Sequence, residues 1–209
     1  MIKVYVFKSL PPFLWGYSRD IRAMWALEEC GVPYETHGLD CGPKGLLSEP
    51  SFKELSPFNQ LPVIDDDGFI LTESGAILLY LAEKSGRLMP HDLQGRAHVH
   101  RWCFTALNNI ELMTLTILFG ESTWHLKTLP RFLTPIDEML SKQSYLTGED
   151  FTVADILMVG VLREIRKTDI LGAYPHLEAY RMRCQARPAF VKVLADYEDR
   201  LGIPRGSAL

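Results

Sequence analysis

The residues with the clearest chemical potential lie in two short stretches, Gln60-Leu61-Pro62-Val63 and Glu73-Ser74. A proline cannot donate to a strand ladder, so it belongs at strand ends and edges. A cis Leu61–Pro62 bond, the minority isomer of such bonds, would turn the chain sharply. It would leave the N–H and C=O of Val63 open to an extended peptide, which could pair there as a short added strand. Ser74 stands where a helix begins, and its hydroxyl and the first free amides favour an anion. Glu73 beside it can only accept, which suits an ammonium group. Edge, anion hole and ammonium acceptor together describe a site for the amino-acid end of a short peptide. The same residues also make sense as plain structure, with Thr72 or Ser74 capping a helix and Glu73 complementing its dipole.

The elements that must position these groups can be read from periodicity. Residues 2–7 alternate and read as a strand, ended by Pro11-Pro12. Residues 18–30 read as a helix: Ile21, Met24, Leu27 and Glu28 fall at helical spacing, and Gly31 follows as a stop. Residues 32–39 form a second strand. The stretch 41–55 is polar and turn-rich, a loop with one helical turn. Strands at 61–64 and 69–72 are joined by Asp65-Asp66-Asp67-Gly68, an Asp-Gly hairpin signal. A helix over 74–84 completes a β-α-β, loop, β-β-α order.

From His91 onward the pattern is helical only, with helices expected over 94–119, 129–141, 153–166, 175–186 and 188–201. The stretch 84–95, with its glycines and a proline, reads as a linker. Thr152 and Asp155 are spaced as a capping box, and Phe151 and Ile156 as its hydrophobic staple. The fold class is therefore α/β plus all-α, with domains expected over 1–84 and 92–209.

Bulk properties narrow the function. A net charge of −4 gives no reason to expect nucleic acid or an anionic membrane as partner. No apolar run approaches the roughly 20 residues of a membrane span. The chain opens on a strand-like run and not on a signal peptide. Cys30, Cys41, Cys103 and Cys184 are scattered, with no Cys-x-x-Cys, as expected of free thiols in the cytoplasm. His98 and His100 point to different faces of a helix and make a poor metal pair. No metal site is expected.

The order of elements, with Gln60-Leu61-Pro62-Val63, Glu73-Ser74 and Thr152-x-x-Asp155 at their spacings, closely resembles the cytosolic glutathione transferase superfamily, as a bacterial-type member, over nearly the whole chain. The resemblance implies a thioredoxin-like N-terminal domain with Pro62 cis, an all-helical C-terminal domain and a homodimer. It implies that Val63 pairs its backbone with the cysteinyl unit of glutathione and that Glu73 and Ser74 hold the γ-glutamyl end. Gln60, with Leu61 and Pro62, lies in the loop that approaches the tripeptide. Lys44 and Lys53 are weaker candidates for the glycine carboxylate.

A free cysteine thiol titrates at about 8.5, so such an enzyme must favour the thiolate, which then attacks an electrophilic carbon. In the superfamily a Tyr, Ser or Cys after the first strand partners the sulfur. Here that position falls on Trp15, which has neither hydroxyl nor thiol. Ser18, at a helix N-terminus, is the expected donor, with Trp15 lining the sulfur's pocket; Ser9 and Tyr17 are alternatives, and Tyr5 is expected to pack in the first strand. The absence of a cysteine in this segment argues against a reductase that forms a mixed disulfide. Phe13, Phe104, Asn108 and Met113 are expected walls for a small hydrophobic electrophile, with Arg163 and Arg166 adding charge. The resemblance thus implies conjugation of glutathione, as co-substrate, to an alkyl or aryl electrophile in detoxification. The missing hydroxyl at Trp15 keeps a second reading open, a non-catalytic binding or carrier protein of the same fold.

Overall fold

The structure, a computed structural model, describes residues 1–40, 52–120 and 123–209. Cys41 and Lys44 lie outside the described residues. The chain forms two compact units, Met1–Ser85 together with Pro188–Leu209, and Gly86–Arg187.

The first unit is built on a four-stranded sheet in the order β2-β1-β3-β4. Strand β1 (Ile2–Phe7) runs parallel to β2 (Tyr34–Leu39) and antiparallel to β3 (Val63–Asp66), which pairs antiparallel with β4 (Phe69–Thr72). The strand period of two divides β1 between the sheet's faces. Ile2, Val4 and Val6 are buried on the side of α1 (Asp20–Cys30) and α3 (Ser74–Ser85). Tyr5 and Phe7 join Leu39, Leu61, Val63 and Phe52, the last from the single turn α2 (Phe52–Leu55), in a cluster on the other. The hairpin between β3 and β4 closes as the Asp-Gly signal requires, with Asp67 and Gly68 both at positive φ (51° and 94°). Helix α1 starts at Asp20, two residues later than the spacing predicts, and stops at Gly31, whose φ of 67° closes it in the left-handed region.

The last helix, α10 (Pro188–Leu201), also belongs to this unit. Its apolar side, including Phe190, Val193 and Tyr197, is buried, and it packs on α1. The all-helical part expected over 92–209 therefore gives its final helix to the packing of the first unit.

The second unit is helical. Helix α8 (Val153–Leu162) is buried along nearly its whole length, packed by α4 (Leu93–Phe104) and α9 (Pro175–Gln185), and α9 packs in turn on α7 (Pro130–Leu140). The single helix expected over 94–119 is interrupted: after α4 comes a π-helical stretch, Thr105–Glu111, and then α5 (Leu112–Leu118). A short helix, α6 (Thr123–Thr128), was not expected, and α8 ends at Leu162 in a 3-10 turn, Arg163–Ile165. Among the described residues no helix is long and apolar enough to cross a membrane.

Candidate functional site

The peptide bond Leu61–Pro62 is cis. The turn before it is held by Ser56, whose hydroxyl donates to the Gln60 carbonyl at 2.9 Å and accepts the Gln60 amide at 3.0 Å. Asn59 helps the reversal with a positive φ of 56°.

The free backbone edge does not fall where it was expected. Val63 lies inside the ladder, opposite Tyr5 of β1 and Thr72 of β4. A strand residue's N–H and C=O lie in the plane of the sheet and point to a neighbouring strand, so those of Val63 are absorbed by the sheet. Leu61, one residue before the proline, stands outside the ladder. It is 8% exposed, and among the described residues its N–H and C=O have no hydrogen-bond partner.

Leu61 and Pro62 form one wall of a small cleft whose opposite wall is Thr72, Glu73 and Ser74. Ser74 is 5% exposed, yet its hydroxyl has no partner among the described residues. The hydroxyl is therefore available to a ligand in the cleft as both donor and acceptor. The amides of Ser74, Gly75 and Ala76 precede the first bond of α3, which runs from Ile77 N to Glu73 O at 2.9 Å. Glu73 holds a φ of 68° and carries an exposed carboxylate with no ion pair among the described residues. The cleft thus offers a donor cluster at a helix N-terminus, an adjacent carboxylate and one residue of free backbone. That set matches a zwitterionic amino-acid end joined to an extended peptide unit.

Arg19, Ser56 and Phe58 also line the cleft, and none was singled out from the sequence. Ser56 bonds only the backbone of residue 60, so the glutamine's type does not signal the contact. Nothing in the sequence marks Arg19, which enters because α1 begins beside the cleft. Lys53 is exposed on α2.

The expected sulfur-facing segment is a loop with one 3-10 turn, Pro12–Leu14. Trp15 is half-buried, and its indole N–H donates to the Leu10 carbonyl at 2.9 Å. Ser18 Oγ lies 2.6 Å from Asp20 Oδ1 and 3.3 Å from Tyr197 Oη. Ser9 is exposed, Tyr17 half-buried, and Tyr5 packs against Phe52 and His37 as expected.

The expected electrophile walls divide. Phe13 is 65% exposed in the first unit, and Phe104 and Asn108 are exposed in the second. Met113 is a core residue of the second unit at 4% exposure and lines no surface. The cause is the apolar stripe itself: Met113 follows Ala106 and Ile110 at helical spacing and is buried with them. Arg163 is likewise buried, and Arg166 folds back to donate to its carbonyl at 2.9 Å.

Such a cleft on a thioredoxin-like sheet, in a chain that continues as helices, defines the class of two-domain proteins with a thioredoxin-like first domain and a helical second one. Two family models match the chain: Glutathione S-transferase, N-terminal domain, over residues 13–83, and Glutathione S-transferase, C-terminal domain, over residues 120–196. The chain is 31% identical over 182 residues to the disulfide-bond oxidoreductase YfcG of Escherichia coli (strain K12), covering 78% of this chain and 84% of that one. It is 32% identical over 192 residues to the probable glutathione S-transferase GSTF2 of Oryza sativa subsp. japonica, covering 82% and 89%. Among solved structures it resembles a glutathione transferase from Burkholderia graminis with two glutathione molecules bound per subunit, at a TM-score of 0.79 and 26% identity over 92% of this chain and 87% of that one. The chain belongs to the glutathione S-transferase family.

Proposed function

We propose that the protein binds glutathione in the cis-proline cleft, stabilises its thiolate and conjugates it to a small electrophile. One observation carries the reading: the Ser74 hydroxyl, at the N-terminus of α3 and beside Glu73, has no partner among the described residues. In this reading Ser74 and the first amides of α3 receive the α-carboxylate of the γ-glutamyl end, and Glu73 receives its ammonium. The cysteinyl backbone pairs with Leu61, whose N–H and C=O have no partner among the described residues, and not with Val63. Gln60 and Pro62 shape the turn around it. Ser18 serves as sulfur donor, with Trp15 beside it. A homodimer in the cytoplasm remains part of the proposal on family grounds.

The test is glutathione affinity in Ser74→Ala. Removing a hydroxyl that bonds only to ligand should weaken binding about tenfold, near 1.4 kcal/mol, with the thermal midpoint almost unchanged. Unaltered affinity in the folded variant would remove the site assignment.

A second reading, a glutathione-binding or carrier protein without conjugating activity, is favoured by one feature of the loop. The indole N–H of Trp15 is bonded internally to Leu10, and the Ser18 hydroxyl is drawn to Asp20. The ultraviolet absorbance of the glutathione thiolate, followed against pH with the protein present, separates the two. A lowered thiol pKa supports the enzyme, and binding with an unshifted pKa supports the carrier.

A further inference from the structure

The last helix reaches into the loop that this function needs. Tyr197 is fully buried, with its Oη accepting the Gly16 amide at 3.1 Å and standing 3.3 Å from Ser18 Oγ. Ser18 Oγ is 2.6 Å from Oδ1 of Asp20, itself fully buried. The other oxygen of Asp20 accepts the Phe7 amide at 3.3 Å and Nη2 of Arg200 at 3.0 Å. Arg200 also gives its Nε–H to the Phe7 carbonyl at 3.0 Å, which locks the guanidinium in place. Ser18 has no further partner among the described residues.

Ser18 has one proton and two oxygen neighbours. The carboxylate, charged and closer, takes it. Tyr197 is then left to place its own proton on Ser18 Oγ. Burial, and then the Asp20 charge, push the Tyr197 pKa up, so the phenol keeps that proton at neutral pH. The arrangement has a consequence for Ser18. Asp20 retains a guanidinium and an amide without it, so the Ser18 proton is the one the cluster can release to a thiolate. While that happens, donation from Tyr197 keeps Oγ partnered and strengthens it as a donor, since hydrogen bonds in a chain polarise one another.

We infer that Tyr197 is a positioning residue for the glutathione thiolate, acting through Ser18. The inference rests on the proposed glutathione site and on Ser18 as its sulfur donor. Tyr197 does not touch the sulfur. It fixes the Gly16 amide, and with it the loop, and completes the hydrogen bonding of Ser18.

The experiment is the pH titration of the bound glutathione thiolate in the full chain, with Tyr197→Phe, Ser18→Ala and the double variant. Tyr197→Phe should cut the thiolate fraction at neutral pH about three- to tenfold, raising the thiol pKa by about half a unit to one unit. Glutathione affinity should stay within about twofold, because the cleft at Leu61 and Ser74 is untouched. The double variant should match Ser18→Ala alone, since the two groups act in series. Tyr197→3-fluorotyrosine keeps the shape and sharpens the donor, so it should lower the thiol pKa. It also serves as the probe should the phenylalanine variant fold poorly. A wild-type pKa in Tyr197→Phe, alongside a raised one in Ser18→Ala, overturns the role of Tyr197 and leaves the glutathione site standing. Additive effects in the double variant overturn the coupling. A wild-type protein that binds glutathione without shifting its thiol removes Ser18 as donor and this inference with it. Absence of binding removes the site itself.

Discussion

Glu73 combines two demands that conflict. Its φ of 68° lies in the left-handed region, where a side chain is strained by roughly 1–2 kcal/mol and glycine is at ease. Strain at a non-glycine residue is kept where something else requires the side chain. Its carboxylate has no ion pair among the described residues, so the fold does not require it, and a ligand ammonium would. Glu73→Gly should therefore raise the unfolding free energy by up to about 1 kcal/mol and weaken glutathione binding at least tenfold. Paired urea-unfolding and calorimetric titrations measure both. A variant that binds normally would show that the carboxylate is only a dipole complement. At this scale much of the candidate cleft was legible, because Glu73 and Ser74 announce a helix start by type alone. The shift from Val63 to Leu61 was not. Which residue leaves a ladder depends on where the neighbouring strands begin, and that register is a property of the sheet, not of the tetrapeptide.

Among the elements, α8 shows how firmly a start signal can be written. Asp155 accepts the Thr152 amide at 2.8 Å, closing the cap, and it also accepts the Leu146 amide at 3.0 Å and the Tyr180 hydroxyl at 2.9 Å. Burial pushes its pKa up, while those amides and hydroxyls favour the charged form and oppose the shift. The spacing revealed the cap. It could not reveal that the same carboxylate ties the 146 turn and α9 to the helix start, because those contacts are long-range. Asp155→Ala would strand several buried donors, each costing about 1–3 kcal/mol, so the unfolding free energy should drop by roughly 3 kcal/mol or more. A loss near 1 kcal/mol in chemical denaturation, the worth of a cap alone, would mean that the other donors find new partners. The π stretch Thr105–Glu111 was invisible for a related reason. An apolar stripe with helical period survives one wide turn, and Ala106, Ile110 and Met113 are buried straight through it.

In the molecule as a whole, the two ends of the chain meet in one unit. Helix α1 is buried along most of its length, and α10 packs on it. Trp25 and Phe190, each 1% exposed, meet edge to face with ring centroids 4.7 Å apart. The pair of Lys192 with Glu28, at 2.5 Å, sits at the rim, where such contacts contribute little. The apolar contact, together with the buried pair of Arg200 with Asp20 at 3.0 Å, holds the last helix. Sequence order suggested that 188–201 closes the helical domain, since a helix following helices is read with them; only the width of the apolar surface on α1 hinted at a missing partner. Removing a buried phenylalanine ring costs about 3–5 kcal/mol, and here that cost should fall on the unit that carries the cleft. In Phe190→Ala, the unfolding transition that glutathione stabilises by mass action should move to lower denaturant, and the protection given by a fixed excess of glutathione should persist at the lower midpoint. If the glutathione-sensitive transition stays in place while a separate one moves, α10 is energetically part of the helical unit. The route from Tyr197 to Ser18 would then have to survive without the packing that now supports it.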